Sequence, residues 1–249
     1  MRLLTCNMLI LCVAAAMAGV ASHILYFNRG EHHMYGATYI QTLLGSSVAA
    51  VVSLVNMQGY AVSAAIVSTA MVAFAYLTGI WTSLLIYRIF LCPWTKFPGP
   101  WQASISSFWL FGHLSLETAF YKHEALHKKY GKYVRVGPDV LSITDADVHE
   151  AAFGQNTKFR KGIWYDGAKP FSSMHTTRDK ALHDRRRRVW APAFSDKALR
   201  EYEPKVRAHN EELLQQIRKR EGKPMDMSTW FNLYSFDVMG QLAFGKDYE

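Results

Sequence analysis

The run Tyr87-Arg88-Ile89-Phe90-Leu91-Cys92-Pro93-Trp94-Thr95-Lys96-Phe97-Pro98-Gly99-Pro100 divides a 249-residue chain into two parts of different physics. Upstream of Arg88, no Asp, Glu, Lys or Arg occurs back to Glu31. Downstream, charges become frequent, and Pro-Gly-Pro cannot continue a helix, because proline fixes its own backbone and restricts the residue before it. Over the whole chain, half the residues are apolar, 19% are charged and the net charge is +8. Such averages are ordinary for a globular protein, and here they conceal the division. The only charged groups of residues 1–96 are Arg2, Arg29, Glu31, Arg88 and Lys96. A charge-free run of that length has no polar face to show to water, which excludes a soluble globular fold for the first part.

Working back from Arg88, three apolar stretches cover residues 61–85, 38–55 and 3–27. Each meets or approaches the roughly 20 residues a helix needs to cross the hydrocarbon core. Arg29, Glu31, His32 and His33 separate the first two; Asn56, Gln58 and Gly59 separate the second and third in a tight helical hairpin. Tyr26, Tyr39, Tyr60, Trp81, Tyr87 and Trp94 lie near the ends, as interfacial aromatic residues do. The rival reading of residues 3–27 is a secretory signal, with Ala14–Ala18 as its small residues. The apolar run continues past them to Phe27, too long for a signal core, so a retained span is expected. Arg88, Lys96 and the basic region beyond place residues 97–249 on the cytosolic side by the positive-inside rule.

Working forward from Pro100, the polar part reads as α-rich with minor β. Leu116, Phe120, His123, Leu126 and Tyr130 recur at helical spacing, and Gly131 is a plausible C-terminal cap. Tyr133–Val136 and Val140–Ile143 flank Gly137-Pro138-Asp139 as a hairpin. Asp145 is placed to cap a short helix through Phe153. Residues 154–180 lack a period and read as a long loop, of the kind that often binds ligands. Leu199, Tyr202, Val206, Leu213 and Ile217 mark a long amphipathic helix with a Glu203–Arg207 pair. Gly222-Lys223-Pro224 breaks it, and Asp226 or Ser228 caps a last helix that carries Trp230, Leu233, Phe236 and Leu242.

Chemistry-bearing motifs are few. In His183-Asp184-Arg185-Arg186-Arg187-Arg188-Val189-Trp190, His183 and Arg187 are i,i+4 on a helix, so they share one face. Together they make a fork of N–H donors suited to a carboxylate or phosphate. Arg186 and Trp190 make a second pair on a neighbouring face. The four arginines also read as a solvated basic face, or as a contact to anionic lipid beside the anchor. Nucleic-acid binding is not expected, because no further basic stripe or binding motif accompanies them. There is no nucleophile elbow, no zinc-protease motif and no Walker loop. No catalytic residue and no metal ligand is therefore assigned. His113, His149 and His175 read as surface or structural residues, and Trp164, Tyr165, Trp230 and Phe236 as core. Cys6, Cys12 and Cys92 all precede residue 97, so the polar part holds neither a disulfide nor a cysteine metal site.

In this order the pieces resemble the N-terminal half of a fungal, microsomal cytochrome P-450, a haem-thiolate monooxygenase. The resemblance covers about residues 97–249. It rests on Phe97-Pro98-Gly99-Pro100, Tyr130-Gly131-Lys132-Tyr133-Val134-Arg135-Val136-Gly137-Pro138, Leu141-Ser142-Ile143, Lys158 and Trp164-Tyr165. It continues through His183-x-x-x-Arg187-x-x-Trp190-x-x-Ala193-Phe194-Ser195, Ala198-Leu199, Tyr202-Glu203-Pro204, Ser235-Phe236-Asp237-Val238-Met239-Gly240 and Phe244-Gly245. The multi-span anchor is similar to that of one group of fungal members.

The resemblance implies a membrane anchor of about three transmembrane helices (residues 1–96) followed by a truncated, mainly α domain with a small β-sheet (residues 97–249). The Pro-Gly-Pro linker would orient the domain on the membrane, with the hairpin near a substrate entrance and the following loop over the pocket. His183 and Arg187 would donate hydrogen bonds to haem propionates, and Trp190 would pack near them. The implied reaction is oxidation of a lipophilic small molecule in fungal secondary metabolism at the endoplasmic reticulum. The implied partners are membrane lipid and an NADPH-cytochrome reductase. The family's oxygen-activating helix, Glu-x-x-Arg pair and iron-ligating Cys loop have no counterpart here. Inactivity of this stretch by itself, with weak or no haem binding, is therefore expected. A non-enzymatic membrane-anchored module or a gene remnant is the alternative, and poor solubility of residues 97–249 alone is the corollary.

Overall fold

The computed structural model describes residues 2–114, 118–154 and 157–245. They form two compact units, residues 1–159 and 160–249.

The first unit begins with three long helices, α1 (Arg2–Ser22), α2 (Gly36–Gln58) and α3 (Val62–Ile86). Five-residue π-helical turns extend α1 to Phe27 and α3 to Leu91. All three are long and apolar enough to cross a membrane. The polar Asn56 and Gln58 do not end α2; it stops at Gly59, whose φ of +68° is left-handed. α1 and α3 run parallel and very close. A Cβ on Gly19 would lie 2.1 Å from the Tyr76 carbonyl oxygen, and one on Gly79 would lie 2.0 Å from that of Ala16. Small residues permit this approach, by which helices associate where no hydrophobic force acts between them. Tyr76 Oη donates to Ser22 Oγ at 3.1 Å, and His23 Nδ1 bonds Ser83 Oγ at 2.8 Å.

After the linker come α4 (Trp101–Ile105), α5 (Ser107–Leu114) and α6 (Ala119–Tyr130), then β1 (Tyr133–Gly137) and β2 (Val140–Ile143). Gly131 ends α6 at φ +94°, as its spacing suggested; Leu116 lies outside the described residues. The strands pair antiparallel, Tyr133 opposite Ile143, with a bulge between Arg135 and Gly137. The hairpin packs onto the linker. The Arg135 amide donates to Pro98 O at 2.8 Å, and a Cβ on Gly99 would lie 2.2 Å from the Arg135 carbonyl oxygen. Only glycine fits there.

Asp145 departs from its expected role. The helix α7 (Asp147–Phe153) has Ala146 at its cap position, without a side-chain cap bond. The Asp145 carboxylate instead accepts from Tyr133 Oη at 2.7 Å and from Lys132 Nζ at 3.0 Å. Those bonds hold Asp145 below the usual carboxylate range and push the Tyr133 phenol up. Tyr133 on β1 and Lys132 just before it are the main partners of this carboxylate, with a smaller backbone contribution from Asp147 at the start of α7.

The second unit opens with a connecting segment whose only helical turn is Ile163–Ala168. α8 (Lys180–Trp190) follows, then a short turn at Ala191–Phe194. α9 (Asp196–Arg218) is capped by Ser195 and tolerates an internal Pro204. The Glu203–Arg207 pair closes at 2.9 Å. α10 (Met227–Phe244) is capped by Asp226, which accepts from the Ser228 and Thr229 amides, and it ends at Gly245 with φ +65°.

Candidate functional site

α8 owes its start to Asp179, whose carboxylate accepts from the Ala181 and Leu182 amides at 2.9 and 3.2 Å. That cap satisfies two otherwise orphaned donors. Helical geometry then stacks His183 and Arg187 one turn apart on a shared face. Successive arginines at 185–188 point in different directions, so the basic run does not act as one patch. Arg186 is used structurally: its guanidinium donates to Ser172 O at 2.8 Å and Ser172 Oγ at 3.2 Å. Arg187 is exposed, and its side chain makes no hydrogen bond or ion pair among the described residues.

His183 is half-buried and bonds the Asp184 carboxylate through Nδ1 at 3.1 Å. That bond, and a second from Lys180, hold Asp184 below the usual carboxylate range. With Nδ1 engaged, Nε2 is the ring atom left to meet a ligand. Trp190, on the last turn of α8, is 57% exposed.

The segment before α8 is tied down by bonds that no periodicity announces. Lys161 Nζ donates to Met174 O and His175 O. Arg178 donates to Lys161 O and pairs with Asp166, which Lys169 also meets at 3.0 Å. Sequence reading missed Lys161, Asp166 and Arg178; the sole signal was their density of charge within an aperiodic stretch.

A second feature is an open apolar groove of about 870 Å³ between α9 and α10, walled by Leu213, Trp230, Leu233, Phe236, Met239 and Phe244. Phe236 and Phe244 remain 71% and 70% exposed, so Phe236 is not the core residue its spacing suggested. Tyr234 Oη donates to Asn210 Oδ1 at 2.6 Å, and the Arg220 guanidinium stacks on Trp230 at 4.4 Å.

A family model described as Cytochrome P450 matches residues 98–249. The chain is 41% identical over 243 residues to Cytochrome P450 monooxygenase notG' of Aspergillus versicolor, covering 97% of this chain and 44% of that protein. It is 41% identical over 239 residues to Cytochrome P450 monooxygenase lcsK of Purpureocillium lilacinum, covering 94% of this chain and 43% of that protein. It is 37% identical over 241 residues to Tryprostatin B 6-hydroxylase of Neosartorya fischeri, covering 94% and 44% respectively. The similarity thus includes the apolar third, and the chain spans less than half the length of these curated relatives. No solved structure matches.

Proposed function

Given that the chain belongs to the cytochrome P450 family, we propose that residues 1–249 form the membrane-anchoring and haem-propionate-binding part of a fungal monooxygenase. Its reaction would be one oxidation of a lipophilic small molecule in secondary metabolism, as the relatives' printed activities suggest by analogy. The observation that carries the reading is the face of α8, where Arg187 and the free Nε2 edge of His183 stand one turn apart.

That donor set fits haem. A propionate needs charge-assisted N–H donors, and arginine offers a planar fork of them. Asp184 fixes the imidazole so that Nε2 can take part. Haem, when bound, would supply the iron at which oxygen is activated, and in this family that chemistry needs a cysteine thiolate. The residues of this chain do the holding. Arg186 fastens the segment at 172 to α8, so we infer that residues 157–179 border the substrate. The exposed phenylalanines of α10 would be covered, in the longer relatives, by residues beyond the shared region.

We infer that α1, α2 and α3 span the endoplasmic-reticulum membrane and leave residues 97–249 in the cytosol, where an NADPH-cytochrome reductase delivers electrons. The matched region 98–249 holds no cysteine, so residues 1–249 by themselves offer it no thiolate and are inactive.

Titration of the detergent-purified chain with hemin, followed by absorbance, tests the site. Weak saturable binding is expected. Arg187→Ala weakens it about tenfold, the worth of one charge-assisted bond lost. His183→Ala weakens it less, and Arg185→Ala, on another face, leaves it unchanged. Equal binding by all four proteins contradicts the assignment.

A further inference from the structure

A cavity of about 420 Å³ opens in the first unit where the ends of α1 and α3 meet the hairpin turn. His23 forms part of its wall and is 2% exposed. Its Nδ1 is taken by Ser83 Oγ at 2.8 Å, whichever of the two is the donor. Its Nε2 is buried and has no partner among the described residues. A buried ring nitrogen left unpaired costs free energy unless something polar meets it.

The rest of the wall says what that is. Arg88 and Asp139 contribute one positive and one negative charge, and Asn28 contributes a neutral amide. Arg88 spends one N–H on Ile105 O at 2.7 Å, and a guanidinium carries five. Phe27, Tyr87 and Trp94 supply aromatic surface. The wall therefore offers donors for an anion and, near them, a carboxylate with aromatic faces for a cation. It sits where the apolar helices α1 and α3 end, the level at which lipid head groups lie.

We propose that this cavity binds the head group of a zwitterionic phospholipid, with the phosphate toward Arg88 and His23 Nε2 and the ammonium toward Asp139 and the aromatic rings. The proposal rests on reading α1 and α3 as membrane spans. Alkaline carbonate extraction of membranes tests that reading by itself, since a chain released by it does not span, whatever lipid it holds.

Native mass spectrometry of the full chain in detergent tests the site, with dioleoyl phosphatidylcholine, dioleoyl phosphatidylglycerol and dioleoylglycerol as competing probes. One phosphatidylcholine is expected to be retained over the other two. His23→Phe and Asp139→Asn each weaken its retention about tenfold, whereas Lys129→Gln changes nothing. Asp139 lies exposed in a turn, so its substitution leaves the fold intact. Equal retention of the three lipids, or unchanged retention in both variants, reduces the bound lipid to a non-selective shell and overturns the proposal. Preference for phosphatidylglycerol, strengthened by Asp139→Asn, overturns the zwitterionic assignment.

Discussion

Replacing Arg135 by leucine is expected to separate the hairpin from the end of the third long helix. The Arg135 side chain is buried. Its Nε donates to Gly137 O at 3.2 Å, both terminal nitrogens donate to Arg88 O at 3.1 Å, and one of them also donates to Pro138 O at 2.7 Å. One guanidinium thus satisfies three carbonyls, one of them 47 residues away. Leucine matches the volume and strands all three. Each buried acceptor left unpaired costs about 1–3 kcal/mol, so a loss of about 3–5 kcal/mol is expected. Arg135→Lys reaches fewer of the carbonyls and falls between. Thermal unfolding of the purified chain, read by tryptophan fluorescence, and proteolysis at 97–100 both report it. An unchanged melt would mean that the hairpin is not held this way.

Gly79→Leu is expected to open the contact between α1 and α3. The new Cβ would meet the Ala16 carbonyl oxygen at 2.0 Å and its carbon at 2.8 Å. Those are backbone atoms and cannot swing aside, so the helices must part along the whole crossing. Overpacking typically costs about 1–3 kcal/mol, and here the Tyr76–Ser22 and His23–Ser83 bonds go with it. Gly45→Leu is the comparison, because a Cβ there meets nothing within 4 Å. The melting temperature should fall for Gly79→Leu and stay for Gly45→Leu. Equal melts would remove the close crossing from the account.

What the sequence made legible was local. The hairpin followed from β-prone runs around Gly137-Pro138-Asp139, and its strands extend the expected ones by a single residue, Gly137. Asp226, one of the two cap candidates, starts α10 because capping depends on residues within one turn. The three apolar helices follow from the missing charges, though α2 runs through Asn56 because an amide costs little at a helix end. Long-range matters stayed hidden. Nothing in the strand pattern announced that Val134, Arg135 and Val136 are all buried, the Arg135 guanidinium against the Arg88 carbonyl at the end of α3. Asp145 looked like a cap until Tyr133 reached it across the hairpin. The polar part joined the anchor side of the chain up to residue 159, since hydrogen bonds from 135 to 88 and 98 ignore the Pro-Gly-Pro boundary. At the candidate site the helical spacing revealed the His183–Arg187 face, but not Asp184 beside it or the Lys161 and Arg178 bonds that order the preceding segment.

The sulfur question bears most directly on what these residues contribute. Cys12 lies in α1, and the buried Cys92 faces Pro138 O in the hairpin turn. Cys6 lies in α1 as well. The axial ligand of a family monooxygenase must be a thiolate in the haem domain, and residues 98–249 have no cysteine to give. The deciding measurement is the difference spectrum of the reduced, carbon-monoxide-bound chain expressed with haem. The account predicts no absorption band of thiolate-ligated haem from residues 1–249. A normal thiolate band from this chain alone would contradict it.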